Sequence, residues 1–183
     1  MRARKTGSTW PDEESGNMSG NSAPPAGKTV LVGVTGGIAA YKICDVVSRL
    51  VKLGHSVYVI MTEAATRFVT PLTFQTLSGN PVFTTMFDPP KLWNVEHVAL
   101  ADRADAVLVA PATANFVAKL ACGICDDLLT TVLCACRAPV LICPAMNHNM
   151  YANAIYQANE ARLRALGYNF MAPEYGRLAS GAV

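Results

Sequence analysis

Four short apolar runs constrain this chain more than any other feature: Thr29 to Val34 (TVLVGV), Ser56 to Met61 (SVYVIM), Ala106 to Ala110 (AVLVA) and Pro139 to Cys143 (PVLIC). Continuous β-branched runs of this kind belong to strands buried on both faces of a parallel sheet. The segments between them are of helical length. Ile38 to Leu53 carries Ile43, Val46, Val47 and Leu50 at helical spacing, with Gly54 where a C-cap stands. Thr62 to Leu77 reads as two short helical pieces parted at Pro71, a residue that begins a helix more readily than it continues one. Gly79 to Asn94 is a proline-rich loop with a short strand at Val82 to Thr84, and helices are expected from Asn115 to Cys122 and from Asp126 to Ala135. One long helix, Asn149 to Leu166, and a last strand, Tyr168 to Met171, close the chain. The alternation predicts a doubly wound, mostly parallel α/β sheet of Rossmann/flavodoxin-like type in a single domain, residues 28–183. Residues 1–27, rich in Ser, Gly, Pro and mixed charge, read as a disordered extension or a leader.

A chain of 183 residues can bury one full core. With 51% apolar and only 15% charged residues, it is expected to hide further apolar surface in an oligomer. The net charge of +2 comes without a dense Lys/Arg cluster, which disfavours nucleic acid as a partner and leaves a small molecule or a peptide. No apolar run reaches the roughly 20 residues that span a bilayer, and the N-terminus lacks a signal-peptide apolar region, so a cytoplasmic protein is expected. Cys122 and Cys125 form a C-x-x-C, and Cys134 and Cys136 a C-x-C. No histidine or second C-x-x-C stands at zinc spacing, so all six cysteines are expected to be small core hydrophobes, with no metal site.

The chemistry-bearing residues gather where strands end. Gly36 and Gly37 stand between a buried strand and a helix, where backbone can approach a phosphate, or where a simple tight turn is needed. Thr62 and Thr66, after the second strand, are either hydroxyl donors to the same phosphate or helix caps. The segment Pro111-Ala112-Thr113-Ala114-Asn115 offers a hydroxyl and an amide at the next strand end, with an N-cap by Thr113 as the structural alternative. Pro144-Ala145-Met146-Asn147 places a second amide at a neighbouring strand end, and two such elbows converge on one crevice in this architecture. His55 and His148 read as surface residues. Only His97 stands in an apolar stretch, with Val95 before Glu96 and Val98 after it, and histidine is the side chain that ordinarily titrates near neutral pH.

Taken together, Gly36-Gly37-Ile38-Ala39-Ala40-Tyr41-Lys42, His97-Val98-Ala99-Leu100-Ala101, Ala110-Pro111-Ala112-Thr113-Ala114-Asn115 and Pro144-Ala145-Met146-Asn147 with Met150 resemble the homo-oligomeric flavin-containing cysteine decarboxylases. The likeness runs in order from Lys28 to Val183 and is strongest to the branch that decarboxylates 4'-phosphopantothenoylcysteine in coenzyme A synthesis. It implies a non-covalent FMN at a subunit interface of homotrimers able to assemble further into dodecamers. By position it implies FMN contacts from Gly36, Gly37, Ile38, Thr62, Thr66 and the Ala112, Thr113, Ala114, Asn115 segment. It also implies His97 as the essential histidine and Asn147, with Ala145 and Met146 beside it, on the substrate carboxylate.

One position departs from that branch. Its flap carries Ala-Cys-Gly, whose cysteine supports reduction of the enethiol to the saturated product, whereas this chain has Ala179-Ser180-Gly181. Ser180 is assigned the same catalytic place, but a hydroxyl is a far weaker acid than a thiol. Serine there resembles the peptidyl-cysteine decarboxylases, which stop at the enethiol. An engineered cysteine-to-serine change, or a variant with another proton donor, gives the same sequence. A non-catalytic regulatory subunit is a third reading, opposed by the presence of both His97 and Asn147.

Overall fold

The protein is described by a computed structural model for residues 27–86 and 96–172. The expected N-terminal extension therefore lies outside the described residues except for Gly27, as does Ser180. So does the side chain of His97, whose backbone is described.

Six strands form one parallel sheet: β1 (Thr29–Val34), β2 (Ser56–Met61), β3 (Val82–Phe83), β4 (Ala106–Ala112), β5 (Val140–Pro144) and β6 (Asn169–Phe170), in the order β3-β2-β1-β4-β5-β6. Every pairing is parallel, which sharpens the expected mostly parallel sheet into a wholly parallel one. This is the doubly wound Rossmann-type order, which reverses direction between β1 and β4.

The apolar runs bury both of their faces. One face of the sheet, with Val32, Val34, Val57, Val59 and Met61, packs on α1 (Ala40–Lys52), on the 3₁₀ turn Glu63–Arg67 and on α2 (Pro71–Ser78), through Ile43, Val47, Ala65 and Phe74. The other face, with Leu31, Ile60, Val107, Val109 and Ile142, packs on α3 (Glu96–Arg103), α4 (Ala114–Cys122), α5 (Leu128–Ala135) and α7 (Ala154–Ala165). A crossover helix runs back against the strands, so its first turn stands level with their carboxyl ends. Thus α1, the 3₁₀ turn, α3, α4 and the short α6 (His148–Tyr151) all begin at that one edge.

Two expectations are corrected. The single closing helix is two helices, α6 and α7, because Asn153 takes an extended backbone and its side chain accepts a hydrogen bond from Ile155 N at 2.9 Å. An asparagine that can bond nearby backbone competes with helix continuation. The cysteines, expected in the core, are nowhere fully buried: Cys122, Cys125 and Cys134 are exposed, and Cys44, Cys136 and Cys143 are partly buried. Cys134 follows buried Leu133 on α5, and Cys122 is the last residue of α4, so neither faces the sheet. No helix among the described residues is long and apolar enough to cross a membrane.

Candidate functional site

Strand ends β2, β1, β4 and β5 are neighbours in the sheet, and hydrogen bonds tie their loops into one continuous rim. Thr62 N donates to Val34 O at 3.0 Å, joining the turn after β2 to the end of β1. Thr35 N donates to Pro111 O at 3.2 Å, joining β1 to β4, and Ala145 N donates to Ala112 O at 3.1 Å, joining β5 to β4. The expected convergence of the polar elbows is thus a chain of backbone contacts across the point where the strand order reverses. β4 runs two residues beyond the expected Ala110 because the Pro111 and Ala112 carbonyls take part in these contacts.

The helices differ in how their amino ends are capped, and α2, with Thr70 before it, has no side-chain cap. Thr62 caps the 3₁₀ turn, Thr113 caps α4, Asp127 caps α5 in a reciprocal capping box with Thr130, and Asn147 and Asn153 cap α6 and α7. α1 has no side-chain cap and no acidic residue in its first turn. Of its first N–H groups, Ala40 N donates to Gly37 O at 2.9 Å and Lys42 N to Ala39 O at 3.0 Å, and the dipole of this thirteen-residue helix favours an anion at its amino end.

Gly36 and Gly37, which precede this end, are glycines for different reasons. A Cβ on Gly36 would lie 2.4 Å from Ala64 Cβ and 3.0 Å from Ala64 C, so the turn after β2 leaves no room for a side chain. A Cβ on Gly37 would lie 3.7 Å from Pro111 Cγ and 3.8 Å from Thr113 Cγ2, ordinary contacts that the protein itself tolerates. Gly36→Ala is expected to lower the unfolding free energy of the ligand-free protein by about 1–3 kcal/mol, the usual cost of overpacking, and Gly37→Ala by less than about 0.5 kcal/mol. Denaturant unfolding of the two variants checks the difference.

The threonines resolve by what their hydroxyls already do. Thr62 Oγ1 accepts from Ala65 N at 3.3 Å and Thr113 Oγ1 from Phe116 N at 3.3 Å; as acceptors, both keep a proton to donate. Thr66 Oγ1 donates its proton to Glu63 O at 2.7 Å. Thr66 instead lines a cavity of about 380 Å³ beside the rim, between Glu63, the Thr84 to Met86 segment and the start of α5 at Asp126 to Leu128. The cavity includes none of the other expected site residues.

Asn147 has its amide oriented by its own helix. The Oδ1 accepts from Asn149 N at 2.8 Å, which leaves the Nδ2 hydrogens without a partner among the described residues. The Nδ2 hydrogens are thus open to an acceptor, the chemistry that a carboxylate calls for. Ala145 and Met146 are half-buried beside it, and Met146 packs on the core. Asn115 is exposed in the first turn of α4, Ala114 opens that helix, and Ile38 stands 65% exposed before α1.

His97 lies in the first turn of α3, the helix that leads into β4. His148 is exposed, and His55 accepts from Lys28 N at the opposite edge of the sheet. Cys143, next to the Pro144 elbow and 4.0 Å from Met171 Sδ, has its thiol pushed upward by burial and is not primed as a thiolate.

Sequence reasoning missed Thr35. It is 2% exposed, and its Oγ1 donates to Pro111 O at 2.6 Å while accepting from Thr113 N at 3.0 Å. The available signal was a hydroxyl residue directly between a buried strand and Gly36-Gly37.

Known proteins are similar to this chain in sequence and in fold. The Bacillus subtilis coenzyme A biosynthesis bifunctional protein CoaBC is 51% identical over 156 residues, covering 85% of this chain and 38% of that protein. Its counterpart in Vibrio cholerae is 48% identical over 158 residues, covering 86% and 40%. The chain thus spans about two fifths of the length of these relatives. Among solved structures, the FMN-dependent cysteine decarboxylase SpaF has a TM-score of 0.78 at 34% identity, over 82% of this chain and 87% of that one. A cysteine-to-serine mutant of PPC decarboxylase complexed with pantothenoylaminoethenethiol has a TM-score of 0.75 at 30% identity, over 85% and 87%. The family model described as Flavoprotein matches residues 18–182, and the chain belongs to the Flavoprotein family.

Proposed function

We propose that this chain is an FMN-dependent decarboxylase of 4'-phosphopantothenoylcysteine, acting in coenzyme A synthesis. The observation that carries the reading is the hydrogen-bonded rim running from the amino end of α1, which has no side-chain cap, to the Asn147 amide with its Nδ2 hydrogens open to an acceptor. It offers an anion site and a carboxylate site on one edge, as a phosphorylated flavin beside a carboxylate substrate requires.

The residues fit the cofactor. The dipole at the start of α1, the close backbone of the glycine turn and the spare protons of Thr62 and Thr113 suit a phosphate and its ribityl chain. When bound, FMN supplies the two-electron acceptor that makes the thiol-bearing carbon a thiocarbonyl, the sink without which a cysteine carboxylate cannot leave as carbon dioxide. The protein's own part is positioning and proton transfer: Asn147 orients the carboxylate, and His97 holds or moves a proton at the reacting carbon or sulfur. Exposed Ile38 and Tyr41, at the amino end of α1, give the apolar surface that a neighbouring subunit covers in the proposed cytoplasmic homotrimer.

A second reading, oxidative decarboxylation of a peptide's C-terminal cysteine to an enethiol, is favoured by Ser180 in place of cysteine. Both readings are tested on purified protein reconstituted with FMN and offered each substrate, with products read by mass. The expected result is flavin absorbance and a 4'-phosphopantothenoylcysteine product lighter by carbon dioxide alone. Loss of carbon dioxide plus two hydrogens from the peptide alone establishes the second reading. A colourless protein that FMN cannot reconstitute overturns both.

A further inference from the structure

We propose that Thr35 is a positioning residue of the flavin site: its buried hydroxyl sets the spacing between the glycine turn after β1 and the Pro111 to Thr113 turn after β4. The inference rests on the flavin reading. The registered pairing of β1 with β4 stops at Gly33 opposite Val109, and the pairing of β4 with β5 shifts register between Val109 and Ala112. Beyond that point the regular ladder no longer holds β1 to β4.

Thr35 takes over that work with three hydrogen bonds. Its N–H and its hydroxyl both donate to Pro111 O, at 3.2 and 2.6 Å, and the same hydroxyl oxygen accepts from Thr113 N at 3.0 Å. The oxygen thus bridges an acceptor and a donor two residues apart on the facing turn. At 2% exposure no water is at hand to replace it. The result is a gap between the two turns in which a Cβ added at Gly37 would lie 3.7 Å from Pro111 Cγ and 3.8 Å from Thr113 Cγ2. A ligand held jointly by the start of α1 and by the Thr113 segment feels any change in that distance.

A purely structural threonine and a positioning one part company in their variants. Thr35→Ala and Thr35→Ser both lack the methyl group and differ only in the hydroxyl, so their comparison isolates the bridge. Thr35→Val keeps the shape and removes the oxygen. The experiment measures the FMN dissociation constant by flavin fluorescence quenching, together with thermal unfolding of each protein without FMN. The expected result is an FMN Kd about tenfold weaker for Thr35→Val and Thr35→Ala, as for loss of one buried bridging hydrogen bond, with Thr35→Ser within about twofold of wild type.

Equal Kd for Thr35→Ala and Thr35→Ser overturns the proposal, and so does a loss of FMN that merely tracks lost stability across all variants. If Thr35→Val does not fold, the Ala and Ser pair decides alone. Failure of the wild-type protein to take up FMN overturns the flavin reading itself, a result distinct from unchanged binding in the variants.

Discussion

Replacing His97 with asparagine is expected to lower decarboxylation about 10²- to 10⁴-fold while the protein still binds FMN, because a positioned acid or base contributes on that scale. His97 lies in the first turn of α3, the helix that leads into β4, and is proposed to act at the strand ends where the other groups converge. Asparagine keeps hydrogen-bonding capacity at that place but has no proton to exchange near neutral pH. Single-turnover rates across a pH series, read beside the flavin spectrum, test this. A His97→Asn protein that is fully active shows that another group carries the proton, and one that loses its flavin makes His97 a structural residue.

The strands were the most legible part of the chain, because a strand buried on both faces needs no alternation and so writes itself as an apolar run. Thr29–Val34 and Ser56–Met61 match their runs to the residue. The ends of elements were less legible. β4 continues through Pro111 because its carbonyls meet Thr35 and Ala145, partners far away in sequence that no local pattern reveals. The break between α6 and α7 depends on the backbone that Asn153 adopts, and an asparagine within an apolar-periodic stretch looks the same whether it caps or continues. At the site, the sequence located the four turns but not the division of labour among their hydroxyls. Thr35, Thr62, Thr66 and Thr113 are chemically alike, yet one bridges two turns, two cap helices and one has spent its proton on a nearby carbonyl.

The same ambiguity between cap and ligand surrounds Asn147, and here one substitution separates the two roles. Asn147→Asp is expected to keep α6, because aspartate accepts from Asn149 N as well as asparagine does, yet to lower kcat/KM for decarboxylation about 10²- to 10³-fold. The amide donors would be lost to the substrate carboxylate, and a negative charge would stand in their place. A hydrogen bond to a charged group contributes roughly 1.5–3 kcal/mol, and a close like charge adds to the loss. Asn147→Ala loses both roles and is expected to give up a further 0.5–2 kcal/mol of stability, the usual worth of an N-cap. Thermal unfolding and steady-state kinetics on the pair distinguish the cases. If Asn147 serves only as a cap, the aspartate variant is as stable and as active as wild type and only the alanine variant suffers. If it orients the carboxylate that leaves, the aspartate variant is stable, yellow with flavin and nearly inactive.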